Sequence, residues 1–227
     1  MKTEPEKFCK APFRSLVVDN DGTLLPCCEF IRDKSSLPQY KIWEFEKYKA
    51  DTSLRQKMLD GHIDGGCAYC IKREDNGINR RQHHSRLFKE TYESFTANTF
   101  DVGHFELRLG NFCNLKCSYC GPYASSQWSA EAKKYKDKFA KFNIGSLKSD
   151  YDWVMDGDNK KFIKDTLKNC ISAHFGGGEP FINPFINDFL KQIPLEANLA
   201  FSTNGTKLPD NTLALLQNRP NLKIHVS

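Results

Sequence analysis

The sequence has no hydrophobic run that could cross a membrane, because no stretch approaches the roughly 18 consecutive apolar residues of a spanning helix. The first residues, MKTEPEKFCK, also lack the apolar core of a secretory signal peptide. Neither sign of charge dominates, since 33 Lys and Arg face 28 Asp and Glu and the net charge is only +5. Such a mild excess does not require an anionic partner. We therefore expect a soluble, cytoplasmic protein with no membrane contact and no nucleic-acid partner.

Hydrophobic residues are lean at 39%, yet aromatic residues reach 12%, which is too much buryable surface for a disordered chain. With 227 residues, the chain is long enough for one substantial core and a smaller module. A folded protein of two parts is the expectation.

The first part is predicted to be a small cysteine-rich α+β module over residues 1–89. Residues 14–26 consist of two apolar stretches around an Asn-Asp-Gly turn, which predicts a β-hairpin. Short helices are predicted around 42–49 and 53–60, the second closed by Gly61. Residues 90–103 contain few aliphatic side chains and are predicted to be a linker.

The second part, residues 104–227, is predicted to be an α/β domain. Strands alternate with helices here, which is typical of parallel βα units. The strands are expected at 104–109, 171–175, 198–202 and 222–226, and the helices at 127–142, 159–168, 183–193 and 210–217.

Cysteine is abundant, with nine residues in a chain that shows no export signal. Thiols in a reducing compartment that are clustered in sequence point to metal or redox chemistry rather than to disulfides. Cys170 stands apart and is expected to be a small buried apolar side chain. The other eight fall into two groups, which are Cys9, Cys27, Cys28, Cys67 and Cys70, and then Cys113, Cys117 and Cys120.

The second cysteine group has CxxxCxxC spacing directly after a predicted strand. Structural zinc sites are closed by four ligands, whereas this loop supplies three thiolates and no obvious fourth. Three thiolates can hold three irons of a cubane cluster and leave the fourth iron open to an outside ligand. A zinc loop completed by a distant Cys or His is the alternative.

Three motifs in one order resemble the radical S-adenosylmethionine (radical SAM) superfamily: CNLKCSYC after one strand, FGGGEP after the next and STNG after the third. The resemblance covers about residues 104–227 and implies a partial (β/α) barrel. It implies a [4Fe-4S] cluster on Cys113, Cys117 and Cys120 whose open iron binds S-adenosylmethionine. Reductive cleavage would give a 5′-deoxyadenosyl radical that takes a hydrogen atom from a peptide, protein or small-molecule substrate. A small electron-donor protein is the implied partner.

The same resemblance implies a binding site for S-adenosylmethionine. Tyr119 is expected near the adenine. Gly177 and Gly178 lack side chains and would let the methionine approach the backbone, while Glu179 offers its ammonium a carboxylate acceptor. Further contacts are expected from residues that follow the strands, namely Pro180, Ser202, Thr203, Asn204 and Ser227.

The first cysteine group resembles the opening half of the SPASM and Twitch auxiliary-cluster modules. The resemblance implies one auxiliary [4Fe-4S] cluster, of the Twitch type because the later SPASM cysteines are missing, although in familiar members this module follows the barrel. Cys28 could replace Cys27 as a ligand, and an all-cysteine zinc site is the alternative. A zinc finger that uses His83 and His84 fits poorly, because adjacent histidines lack the usual spacing. The implied ligands are Cys9, Cys27, Cys67 and Cys70.

A rival function is a zinc-stabilised module that binds nucleic acid or protein without catalysis. It would use the densest basic run, for which a solvated face is the favoured interpretation because Glu74 and Asp75 dilute it and aromatics do not interleave. The run comprises Lys72, Arg73, Arg80, Arg81, His83, His84, Arg86 and Lys89.

The family resemblance also implies about six βα units, whereas residues 104–227 supply four strands. We therefore expect a barrel truncated after its fourth strand, with residues 222–226 as an apolar edge. A partner chain that completes the barrel is the alternative. In either case the isolated chain is expected to be poorly soluble or oligomeric.

Overall fold

The computed structural model describes residues 4–79, 81, 85–140 and 150–227. The chain divides into two units, Met1–Val17 with Leu24–His104, and Val18–Thr23 with Phe105–Ser227. The longer segment of the second unit starts at Phe105, one residue after the predicted start of the α/β domain. Arg80, His83 and His84 lie outside the described residues, as do the last two residues of the helix predicted at 127–142.

The first unit contains a small sheet and short helices. Its strands lie in the order β3-β2-β1, and the hairpin predicted at 14–26 is formed by β1 and β2. The hairpin turn is closed by the Asp19 amide, which donates to the Thr23 carbonyl at 2.8 Å. The elements are α1 (Ala11–Arg14), β1 (Ser15–Val18), β2 (Thr23–Leu25), β3 (Tyr40–Lys41), α2 (Phe45–Ala50), α3 (Ser53–Leu59) and α4 (Ala68–Glu74).

Residues 90–103, expected as a linker, lie within the first unit instead. Tyr92 and Phe95 are buried in its core. The Tyr92 ring packs edge-on against the Phe8 ring, with 4.9 Å between the ring centroids. The ring centroids of Phe95 and Phe13 are also 4.9 Å apart. This segment is therefore anchored in the core by aromatic side chains. Its low content of aliphatic residues had suggested an exposed linker.

The second unit is built on strands β4 (His104–Arg108), β5 (Ser172–Gly176), β6 (Asn198–Thr203) and β7 (Leu222–Val226). They lie in the order β4-β5-β6-β7, and β5, β6 and β7 pair in parallel. Because successive side chains alternate between faces, Phe105, Phe175 and Phe201 are fully buried on one side. Polar residues occupy the other side.

Helices connect these strands, as the alternating pattern predicts. The carboxylate of Asp156 caps α7 by accepting from the amides of Asp158 and Asn159 at 2.9 and 3.0 Å. The helix predicted at 127–142 breaks at Tyr135 into two pieces. The helices are α5 (Ser126–Lys134), α6 (Lys136–Ala140), α7 (Gly157–Leu167), α8 (Ile186–Leu190) and α9 (Asp210–Leu216).

Residues 18–23, the hairpin turn, group with the second unit because they pack on Trp153. The Trp153 indole N–H donates to the Asn20 carbonyl at 3.0 Å. Gly22 has φ +77°, and a Cβ there would lie 3.1 Å from the indole ring. The positive φ favours glycine at this position, and a side chain would also crowd the indole ring.

In the described part of the chain, no helix has the length and hydropathy needed to cross a membrane.

Candidate radical site and second cysteine centre

Cys113, Cys117 and Cys120 lie on the loop that follows β4, all partly exposed and none in a disulfide. Burial and the neighbouring thiols of Cys117 and Cys113 raise the pKa of Cys120 above its usual value. The charge of one thiolate on this loop opposes the ionisation of another. The loop therefore presents three thiols in one neighbourhood.

The beginning of α5 holds this loop in place. The Ser125 side chain caps the helix at the Trp128 amide and donates to the Leu115 carbonyl at 2.6 Å. The Ser126 hydroxyl accepts from the Cys113 amide at 3.2 Å, and the Trp128 indole N–H donates to the Cys117 carbonyl at 3.0 Å. These bonds fix the backbone at two of the three cysteines.

The glycines after β5 pack against protein on the side where a Cβ would be. A Cβ at Gly177 would lie 2.2 Å from the Asn20 amide oxygen, and one at Gly178 would lie 2.2 Å from the Phe112 carbonyl. Both have positive φ, +70° and +34°. Gly176 differs, because a Cβ there would meet nothing within 4 Å. The glycine that borders open space is therefore Gly176, whereas the sequence motif indicated Gly177 and Gly178.

The Glu179 side chain is only 1% exposed, and protein donors occupy both of its oxygens. Oε1 accepts from the Thr203 hydroxyl at 2.8 Å and from the Phe181 amide at 3.1 Å, while Oε2 accepts from the Asn204 amide at 2.7 Å. Its own amide donates to Phe112, next to Cys113, at 2.6 Å. Glu179 therefore ties the end of β5 to the end of β6 and to the cysteine loop. Pro180, also buried, begins the turn that follows.

The end of β6 completes this set of predicted residues. Asn204 directs its amide nitrogen toward the Cys113 sulfur at 3.9 Å and bonds the Asn114 side chain at 3.1 Å. The Ser227 amide donates to the Thr203 carbonyl at 3.0 Å. Tyr119 is 72% exposed, and the nearby Cys117 raises the pKa of its phenol. The structure thus brings these residues together around one loop.

A row of connected polar side chains lies on the sheet face and was not predicted from the sequence. Arg108 bonds Asp19 at 3.0 Å and Glu106 at 2.9 Å. His174 lies 3.8 Å from Glu106 on one side and 3.0 Å from the Ser202 hydroxyl on the other. Although burial opposes it, His174 and Arg108 hold the pKa of Glu106 at about 2. The period-two spacing of Glu106 and Arg108 was the available signal.

The first unit gathers the other predicted ligands. Cys9, Cys27, Cys67 and Cys70 line one cavity together with apolar residues such as Phe30 and Met58. Burial raises the pKa of Cys9 to about 11 and that of Cys67 to about 12, and each is affected by the other thiols. Burial raises the pKa of Cys27 as well, with Cys9, Cys28 and Cys67 as further contributors.

The donor chemistry of both cysteine groups fits a thiolate-bound cluster, although the side chains are not positioned around a common metal centre. Within the described residues, no group of three or more His, Cys, Asp or Glu side chains has a geometry that could hold a single metal ion. The structure describes all nine cysteines, and none of them forms a disulfide. Cys170 is buried apart from both groups, with Arg219 as its charged neighbour.

Comparison with known proteins gives one family and two structures. A sequence profile of the radical SAM superfamily matches residues 107–227, more than half of the chain. No curated protein matches significantly. Streptococcus suis SuiB bound to the precursor peptide SuiA is 15% identical, with a TM-score of 0.32, over 93% of this chain and 46% of that one. SuiB bound to S-adenosylmethionine is 14% identical, with a TM-score of 0.30, over 100% and 48%. The chain spans about half the length of these structures, and similarity at this level assigns neither substrate nor partner.

Proposed function

Because the chain belongs to the radical SAM superfamily, we propose that it cleaves S-adenosylmethionine at a [4Fe-4S] cluster held by Cys113, Cys117 and Cys120. The observation that carries the proposal is that these three thiols lie on one loop, which is bonded to the end of β5 through Glu179 and to the end of β6 through Asn204. Three thiolates leave one iron for an outside ligand. Cys113, Cys117 and Cys120 would hold this cluster, and when reduced it would supply the electron for splitting the sulfonium of S-adenosylmethionine into methionine and a 5′-deoxyadenosyl radical.

The residues of this chain bind and orient S-adenosylmethionine. Gly176, where a Cβ would meet open space, is the glycine that a ligand can approach closely. Ser202 and Asn204 present polar side chains at the strand end, where parallel α/β sheets bind ligands. Tyr119 is exposed for stacking on the adenine, and Ser227 lies beside it. Five further residues act by holding the backbone around this site, namely Gly177, Gly178, Glu179, Pro180 and Thr203.

The first unit holds an auxiliary [4Fe-4S] cluster on Cys9, Cys27, Cys67 and Cys70. Support comes from the four thiols lining one cavity in a mainly apolar environment. Cys28 follows Cys27 in sequence but does not line that cavity, which favours Cys27 as the ligand. Four thiolates saturate the four irons, so this cluster has no open position for S-adenosylmethionine.

Iron analysis of the anaerobically reconstituted protein tests the two-cluster proposal. Changing Cys113, Cys117 and Cys120 together to Ala should roughly halve the bound iron, since one of two clusters is lost. After reduction with dithionite, the unchanged protein should form 5′-deoxyadenosine and the triple variant should form none.

Cys170→Ala is the matched control, because Cys170 is buried near Arg219 and belongs to neither cysteine group, so its loss should leave iron content and product unchanged. A folded triple variant that retains no iron would show that the first unit holds no cluster. Stoichiometric zinc without iron in the unchanged protein would establish the non-catalytic binding module instead.

A further inference from the structure

One side chain of the basic run, Arg81, faces inward. It lines the cavity of the four cysteines of the first unit, and its side chain is only 12% exposed. Among the described residues that line this cavity, Arg81 is the one cationic side chain, and Glu29 contributes a carboxylate. A buried guanidinium is costly unless it is paired, so its placement needs a reason.

Arg81 is fixed by bonds to two separate segments of the first unit. Its Nε donates to the Glu74 carboxylate at 2.7 Å, and a second nitrogen makes a further bond to the same group. Nη1 donates to the Phe8 carbonyl, directly before Cys9, at 3.2 Å. Glu74 is four residues from Cys70, which is one turn of α4. Glu74 is thus on the helix that carries Cys70, and Arg81 is bonded to the residue before Cys9.

The charges of the pair reach the thiols. Arg81 lines the cavity of the four cysteines and bonds the residue before Cys9, and Glu74 lies one turn after Cys70 on α4. Four thiolates leave an iron-sulfur centre net negative, and reduction adds another electron. Net charge, hydrogen bonds and exposure set the potentials of such centres.

We propose that the Glu74–Arg81 ion pair sets the reduction potential of the auxiliary centre, with Arg81 favouring the reduced state and Glu74 opposing it. The inference rests on the proposed auxiliary cluster. Both side chains are redox-tuning residues that act through charge, without contact to substrate.

A redox titration followed by electron paramagnetic resonance tests this in the full chain carrying the Cys113, Cys117 and Cys120 to Ala changes, so that only the auxiliary cluster is observed. Arg81→Gln should lower the midpoint potential and Glu74→Gln should raise it. A tenfold change in the ratio of reduced to oxidised cluster at a fixed potential, equal to about 59 mV, is expected in each direction. Arg81→Lys should retain most of the wild-type value.

The opposite signs distinguish charge from a structural effect, which would shift both variants alike or neither. Arg86→Gln, an exposed member of the same basic run, is the control and should leave the potential unchanged. If Arg81→Gln does not fold, Glu74→Gln still gives the sign. Unchanged potentials in loaded variants would overturn the inference alone. Absence of iron before Arg81 or Glu74 is changed would instead overturn the auxiliary cluster, and the inference with it.

Discussion

The Glu179 carboxylate is committed to protein donors, which gives a definite expectation for its replacement. In Glu179→Ala, the Thr203 hydroxyl and the amides of Phe181 and Asn204 lose their acceptor in a buried place. Unsatisfied buried donors cost about 1–3 kcal/mol, so the free energy of unfolding should fall by that order. Binding of S-adenosylmethionine should weaken with it, because the ends of β5 and β6 lose their common acceptor. Urea denaturation and equilibrium binding measure the two effects.

Asp188 serves as the control position, because its carboxylate is half-exposed and pairs with the Lys164 ammonium at the surface. Asp188→Ala should change neither stability nor binding noticeably, since exposed ion pairs contribute little. If Glu179→Ala weakens binding while stability stays intact, the carboxylate contacts the ligand ammonium directly, as the sequence motif suggested.

The polar face of β4 and β5 predicts a pH dependence of stability. The pKa of Glu106 is lowered from 4.5 to about 2, so its ionised form stabilises the fold above about pH 4.5. That contribution is lost as the pH falls toward 2. A shift of this size corresponds to about 3 kcal/mol. Glu106→Gln should therefore lower the free energy of unfolding at pH 7 by that order and flatten its decline between pH 5 and 3, measured on the apo-protein.

Asp165→Asn is a suitable comparison, because the pKa of Asp165 is also lowered, by Lys168 and Lys161, but its side chain is exposed. Solvent screens that interaction, so the variant should follow the wild-type pH profile. Parallel profiles for Glu106→Gln and wild type would mean that the charge of Glu106 is not what stabilises the strand pair.

Strands and the cysteine loop could be predicted because their signals are local. The four strands of the second unit lie within one residue of their expected bounds, and CxxxCxxC follows the first of them. The partners of Glu179 could not be predicted, since Thr203 is 24 residues away and is brought near only by the parallel pairing of β5 and β6. The burial of Arg81 could not be predicted either, because the sequence of a basic segment does not show which of its side chains faces the interior.

The exposed last strand of the second unit bears on how the whole chain behaves in solution. In the described part of the chain, β7 lies at one end of the strand order, with Ile224 41% and Val226 70% exposed. An apolar edge with unpaired backbone groups favours pairing with another chain. We expect concentration-dependent association, which sedimentation velocity would detect. Ile224→Lys should reduce it, because charge on an edge strand opposes pairing. Leu213→Lys, at an equally exposed apolar position on α9 (45%), should not. Equal association in the two variants would locate the contact elsewhere on the surface.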